Sequence, residues 1–554
     1  MIPSLDFPAQ TMRRLPPPTN HTRPDPRGLD RRQFLKTAGL AGAAVTMAGG
    51  LGCGEDKPPP SPADPLEREL ALRALDAAIS AGADYADVRI SRHQFESIGT
   101  RERQITGVSS TESYGLGVRA LVGGSWGFAA TRELHPDRVS SAAREAAAIA
   151  AATDRVAPRK IELAPVATFR DVFWETPHRI DPFDVPIQEK ADLLFRTNEA
   201  ALGIEGVAFV ASQILSVREQ RLVVTSEGSI IQQTFLRVNP SVTITAVASD
   251  RSDFQTRGAV VEPAARGWEY VLDLDLPGNA PRWAEEAVMK LGAARVDPGQ
   301  WDLILHPSNL WLTIHESIGH PTELDRALGH EANYAGTSFL APPEAVLNKM
   351  RLGHENVHFV GNRTEAGGCA SCGWDDEGVA AESWPIIENG IFVDYQTTRE
   401  QAPWIAELTG IEESHGCAYA QNWSSISFQR MPNVSLMPNA EDLDQDEVLA
   451  ATERAILVEG RGSYSIDQQR FNLQFGGQVF WEIRNGRKHR MLRDVAYVGR
   501  TPEFWRALDV LGGPSTYYLG ASFGDAKGQP GQSNAVSHGC PIALFRNIDI
   551  LNTA

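Results

Sequence analysis

One short segment, Trp311-Leu-Thr-Ile-His-Glu-Ser-Ile-Gly-His-Pro-Thr-Glu-Leu-Asp325, holds two histidines and three carboxylates. Metal-assisted hydrolysis needs neutral imidazoles to hold a divalent ion, an open position for water, and a carboxylate placed to take that water's proton. His315 and His320 are candidate ligands, and Glu316 is the candidate general base. In the common form of such a motif the histidines stand four residues apart on one helix face. Here they stand five apart, which separates them by roughly 140° on a straight helix. A π-type turn returns the two positions nearly to phase. Gly319 and Pro321, on either side of His320, are residues that interrupt a regular helix. The competing reading is a helix end carrying two polar-face histidines.

The elements around this segment define its support. A strand, Trp301-Asp-Leu-Ile-Leu-His-Pro307, leads into it, and beyond it the chain is mostly β-like, with Glu388-Asn-Gly390 as a tight turn. A late helix is expected from Thr501, with Pro502 in its first position and Gly512-Gly513 closing it. Upstream, helical spacing covers residues 65–83, 136–153, 185–202 and 281–296. Between these helices fall strands, with Gly123-Gly124 as a hairpin turn and four separate strands at 206–217, 221–225, 230–236 and 241–248. Strands and helices come in runs and do not alternate strictly, so the fold class is α+β. The reading gives an N-terminal α+β domain at 62–296 and a mostly β C-terminal catalytic domain at 297–554 carrying the metal-site helix.

Residues 1–61 read as a leader and tether. Asp30-Arg-Arg-Gln-Phe-Leu-Lys36 followed by the small, apolar run 37–51 resembles a twin-arginine export signal. An exported, periplasmic or extracytoplasmic location follows from it. Gly50-Leu-Gly-Cys53 is a candidate lipidation site, and the proline-rich stretch 55–65 a tether. A lipid anchor at Cys53 is the one membrane attachment expected. The net charge of −18 argues against a nucleic-acid surface. Five cysteines in 554 residues do not make a disulfide framework. For Cys369-Ala-Ser-Cys372 a local disulfide formed after export is expected, and the paired tetrapeptides Ser414-His-Gly-Cys417 and Ser537-His-Gly-Cys540 raise a second, less favoured metal site. Trp374-Asp-Asp-Glu-Gly378 reads as an acidic turn.

With these residues in place the chain resembles the TldD/PmbA family of metallopeptidases. The resemblance is carried by His315-Glu-x-x-x-His320, Tyr334-Ala-Gly-Thr-Ser338, Trp374-Asp-Asp-Glu-Gly378, Ile387-Glu-Asn-Gly390, Arg430-Met-Pro-Asn433 and Lys527-Gly-Gln529. In the first half it is carried by Gly82-Ala-Asp-Tyr-Ala-Asp-Val-Arg89, Gly115-Leu-Gly-Val-Arg119 and Trp126-Gly-Phe128. The resemblance spans residues 62–554 and implies a two-domain zinc peptidase. Such an enzyme works as a homodimer or as a heterodimer with a paralogue, and takes unfolded peptides as extended strands. By the same resemblance His315 and His320 would bind Zn²⁺, with Glu316 as the base acting on water.

One departure stands out. The family places a cysteine, its third metal ligand, where this chain has Gly524 in Gly524-Asp-Ala-Lys-Gly-Gln529. Asp525, one position on, is the candidate replacement, with Cys540 as a competing third ligand. Glu323 and Asp325 suit an outer role, orienting a histidine. The alternative to an enzyme is a metal-free, non-catalytic partner subunit or peptide-binding member of the same family.

Overall fold

The computed structural model describes residues 64–553, so the leader, Arg31-Arg32 and Cys53 lie outside the described residues. The first half builds one twisted sheet from β1 (Tyr85–Arg101), β2 (Gln104–Val122), β3 (Ser125–Thr131), β4 (Arg170–Glu175), β5 (Val207–Thr225), β6 (Ile230–Val247) and β7 (Phe254–Gly258). Its order is β3-β2-β1-β5-β6-β4, with β7 also on β6. The pairings are antiparallel except that of β4 with β6. Helices Pro65–Ser80 and Pro136–Thr153 bury Leu70, Ala74 and Ala143 against Val88, Val118 and Leu222 of the sheet. Helices Ile187–Leu202 and Leu276–Leu291 bury Leu194 and Trp283 against Ile214 and Ile244.

Two differences from the sequence reading have clear causes. The four strands expected over 206–248 are two long ones, β5 and β6, because the polar residues taken as breaks are buried in mid-strand and paired. Glu219 accepts from Arg237 and Arg221 there. The helix expected from 281 begins at Leu276, since the Asp275 carboxylate accepts from Gly278 N and caps it earlier. Pro281 then lies inside that helix.

The second half is organised by a closed ring. β9 (Gly299–Leu305) pairs in parallel with β16 (Arg454–Ile466), which pairs with β17 (Asn472–Arg484), then β19 (Val495–Arg500), then β23 (Ala543–Asn552), which returns to β9. A ring of this kind leaves no free edge where it closes. β8 (Ala294–Arg295), β18 (Arg487–Arg493) and β20 (Leu508–Leu511) extend it. β20 follows directly on the late helix, which spans only Thr501–Arg506 and stops well before Gly512. Smaller sheets comprise β10 (Phe359–Asn362), β11 (Ser383–Glu388), β12 (Ile391–Phe392) and β15 (Asn433–Leu436); β13 (Ala418–Tyr419) with β14 (Phe428–Gln429); and the hairpin β21 (Tyr518–Lys527) with β22 (Gln532–Cys540). The largest apolar core, including Leu303, Trp311, Ile314, Phe475 and Phe545, fills this half.

The acidic turn 375–377 joins the two halves. Asp376 accepts from Arg89 at 3.0 Å and from Arg221, while Glu377 accepts from Arg119 at 2.9 Å. Asp375 folds the turn itself, accepting from the Glu377 and Val379 N–H groups at 2.9 Å. Burial and the neighbouring Glu377 raise the Asp375 pKa to about 7.

Candidate metal centre

The strand β9 ends at Leu305, and helix Pro307–Ile314 starts at once, with His306 Nδ1 accepting from Ser308 N and Pro307 in the first turn. The helix is anchored by Asn309, whose amide donates to the Gly460 and Gly476 carbonyls at 2.9 and 2.8 Å. At His315 the winding changes: residues His315–Gly319 form a π-helical turn and His320–Thr322 a 3₁₀ turn. The distortion demanded by the five-residue spacing is present. Three local features hold it. A Cβ on Gly319 would lie 2.7 Å from Met431 Sδ, so any larger residue there would push the Met431 side chain off the turn. Thr322 Oγ1 donates to Ile318 O at 2.7 Å, and Gln396 Nε2 donates to Gly319 O at 2.6 Å. These donors satisfy carbonyls that a regular helix would have bonded internally.

The winding brings the His315 and His320 rings to 4.5 Å between centroids, nearly perpendicular. Ligand atoms of His315, Glu316 and His320 all lie within 4.8 Å of one another. His315 Nε2 and His320 Nε2 lie 3.6 and 3.5 Å from the same oxygen, Asp525 Oδ1. Donors about 2.1 Å from an ion in a tetrahedron stand about 3.4 Å apart, so the donor set fits zinc. Asp525 reaches this position through a bulge between Ser522 and Asp525 in β21. Arg430 Nη2 donates to Asp525 O and lies 3.3 Å from Oδ2, which leaves Oδ1 facing the histidines.

Each imidazole is oriented from behind. His538 donates from Nδ1 to Val434 O at 2.7 Å, so its Nε2 accepts the Nδ1–H of His315 at 2.8 Å. His315 Nε2 is then the lone-pair nitrogen. His320 Nδ1 lies 3.1 Å from both Glu323 Oε2 and Arg326 Nη2; in the tautomer that donates to Glu323, His320 Nε2 is the ligand atom. Burial, followed by His538 and Arg470, holds His315 well below the usual imidazole range. Burial, followed by Arg326 and Arg470, does the same to His320. His538 is pushed down to about 4 by burial. All three are neutral at pH 7, as metal ligation requires. Burial raises Glu316, opposed by Arg470, which donates to Glu316 Oε2. Burial alone would raise Glu323 too, but Lys527, Arg326 and His320 outweigh it and keep Glu323 ionised.

The remaining sequence candidates fall elsewhere. Asp325 touches no histidine of the centre; it accepts from Lys527 Nζ at 2.8 Å, and Lys527 also donates to Glu323 at 3.1 Å. Cys540 Sγ lies 3.7 Å from Pro307 O, at the opposite end of the helix from His315, and is not part of the cluster. The second metal site is not formed: His415 is held between Glu382 and Asp394 at 2.7 and 2.9 Å, while His538 serves the first centre. Cys369 and Cys372 are free thiols, not a disulfide; Arg363 Nε donates to Cys372 Sγ at 3.3 Å. Sequence reasoning missed His538, Arg430 and Arg470. His538 was noticed only through its tetrapeptide and given other partners; Arg430 stood in the Arg430-Met-Pro-Asn433 motif without a role at the centre, and Arg470 had no local signal.

Fold and centre together define an α+β protein with a preassembled His-His-carboxylate site and an adjacent base. Family profiles match nearly all of the described chain: PmbA/TldA metallopeptidase domain 1 at residues 86–150, the central domain at 180–295 and the C-terminal domain at 298–552. A "Metalloprotease" of Methanothermobacter thermautotrophicus is 28% identical over 464 residues, covering 84% of this chain and 94% of that protein. A "Metalloprotease TldD homolog" of Buchnera aphidicola is 23% identical, covering 87% and 95%. TldE from Thermococcus kodakarensis shares the fold at a TM-score of 0.65 and 16% identity, over 88% of this chain and 99% of that one. A Thermotoga maritima protein described as a candidate modulator of a DNA gyrase shares it at 0.68 and 15%, over 88% and 100%. The chain belongs to the PmbA/TldD metallopeptidase family. Residues 28–48 match the twin-arginine translocation signal, which supports export. Among the described residues no helix is long and apolar enough to cross a membrane.

Proposed function

We propose that this protein is an exported, zinc-dependent peptidase that hydrolyses unfolded peptides. The observation that carries the reading is the convergence of two neutral imidazole Nε2 atoms on Asp525 Oδ1, with Glu316 beside them. His315, His320 and Asp525 are the residues that would hold the ion. When bound, zinc supplies a Lewis acid that polarises the scissile carbonyl and acidifies water. Glu316 takes a proton from the attacking water and returns it to the departing amine. Its burial favours that cycle, since a raised pKa brings the carboxyl closer to the working pH. His538 sets the tautomer of His315, Glu323 orients His320 through Nδ1, and Arg430 and Lys527 hold Asp525 and Glu323 in place.

An extended peptide gripped through its main chain would give little sequence preference. We place the protein in the periplasm or another extracytoplasmic space, as a homodimer or a heterodimer with a paralogue, with Cys53 as a candidate lipid-anchor site. The test is reconstitution. Protein stripped by a chelator at neutral pH should lose hydrolysis of an unstructured peptide and regain it with one equivalent of zinc. Hydrolysis unaffected by stripping, or absent at full zinc occupancy, contradicts the reading.

A further inference from the structure

Four cations lie around the centre among the described residues, and three are wholly buried. Arg326 donates to Glu323 Oε2 at 2.9 Å and to Ala335 O; Arg430 donates to the Asp525 and Gln532 carbonyls; Lys527 donates to Glu323, Asp325 and Gln429. All three side chains are 0% exposed. Arg470 is different. Its side chain is 14% exposed and donates from Nη1 to the base Glu316 and from Nη2 to Ala335 O at 3.2 Å; its buried Nε, like that of Arg430, has no partner among the described residues.

Arg470 is also presented by an unusual backbone. It lies in the turn between β16 and β17 with φ +63°, a left-handed conformation that is costly for a residue with a Cβ. The turn is tied down on all sides. Asp467 accepts from Phe471 N at 2.8 Å and Asn472 N at 3.0 Å, Arg470 N donates to Asp467 O at 3.0 Å, and Thr501 Oγ1 donates to Arg470 O at 2.7 Å. The guanidinium is thereby fixed one hydrogen bond from Glu316, and it is the only one of the four cations with any exposed side-chain surface.

We propose that Arg470 is a catalytic residue of the peptidase reaction, donating to the scissile carbonyl oxygen as negative charge builds on it; this rests on the peptidase reading above. The step balances as follows. Water oxygen forms a bond to the carbonyl carbon, the C=O π pair moves to the carbonyl oxygen, and Glu316 takes the water proton. On accepting it, Glu316 loses the charge that Arg470 pairs with, so Nη1 is freed for the oxyanion while Nη2 keeps its bond to Ala335 O. Collapse reforms C=O, breaks the C–N bond, and the Glu316 proton goes to the amine. Such fixed donors act most strongly where charge develops.

The test compares wild type with Arg470→Ala and Arg470→Lys, using zinc-loaded protein and matched peptides with free and amidated C-termini. Removing one oxyanion donor is expected to lower kcat by about 10²–10³-fold with little change in KM. Zinc content should be unchanged, and lysine should recover part of the rate. Affinity for a tetrahedral phosphinic pseudopeptide should fall by the same factor as kcat/KM, while a substrate-like ligand is spared. An unchanged kcat overturns the inference, as does equal weakening of both ligands. A KM rise confined to free-acid peptides also overturns it and assigns Arg470 to a terminal carboxylate. Full hydrolysis by Glu316→Ala would instead sink the peptidase reading itself.

Discussion

Replacing Asp525 tests the feature in which this chain departs from its family. Its Oδ1 is 3.6 and 3.5 Å from the two ligand nitrogens, and Arg430 lies 3.3 Å from Oδ2. Zinc binding at a four-ligand site is worth roughly 10–16 kcal/mol at pH 7, so one ligand carries about 2.5–4 kcal/mol. Asp525→Ala is therefore expected to weaken zinc affinity by about two to three powers of ten. Arg430 keeps its bonds to the Asp525 and Gln532 carbonyls in that variant, so the centre should remain folded. Competition of each variant against a chromophoric chelator gives the affinity, and thermal melts with Asp525→Asn, which retains an oxygen for Arg430, separate ligation from folding. A thiol placed at 524 in the alanine background should not restore binding, because a Cβ there meets no atom within 4 Å and stands in open space. Stoichiometric, tight zinc in Asp525→Ala would refute the assignment; rescue by Gly524→Cys would show that the bulge does not fix the ligand position.

Further outcomes follow from the surrounding groups. His538→Ala should reduce zinc affinity by about 10–100-fold without removing a ligand, because His315 loses the partner that sets its tautomer; unchanged affinity would remove His538 from the account. His415 is buried, which lowers its pKa, but Asp394 and Glu382 raise it to about 9, above the 6.5 of a free imidazole. Its stabilisation is thus complete below pH 6.5 and lost as pH rises through about 9. With Glu382 43% exposed, roughly 1–3 kcal/mol is expected. His415→Gln should narrow the stability difference between neutral and strongly alkaline pH in denaturant titrations, and an identical pH dependence would contradict this. Asp376→Ala leaves Arg89 buried without its carboxylate and Arg221 with Glu219 alone and should cost about 3–5 kcal/mol, read as a lower urea midpoint.

The sequence carried the centre further than its short motif suggests. The off-phase histidines required a π-turn, and Gly319 and Pro321 marked where it falls; both follow from helix geometry alone. The α+β class was legible from runs of period-two and period-3.6 hydrophobicity. What stayed hidden depended on long-range contact. Polar residues such as Glu219 and Arg237 read as strand breaks because their buried partners lie in other elements. His538 and Arg470 are 223 and 154 residues from the side chains they bond. The cysteines misled for the same reason: Cys372 answers to Arg363 rather than to Cys369.

The central claim is that Glu316 performs proton transfer beside a metal held by His315, His320 and Asp525. Its most direct test is Glu316→Gln, measured together for zinc content and for turnover of an unstructured peptide. One zinc per chain, as in wild type, is expected, with hydrolysis reduced by several powers of ten. Zinc bound and hydrolysis intact would contradict it.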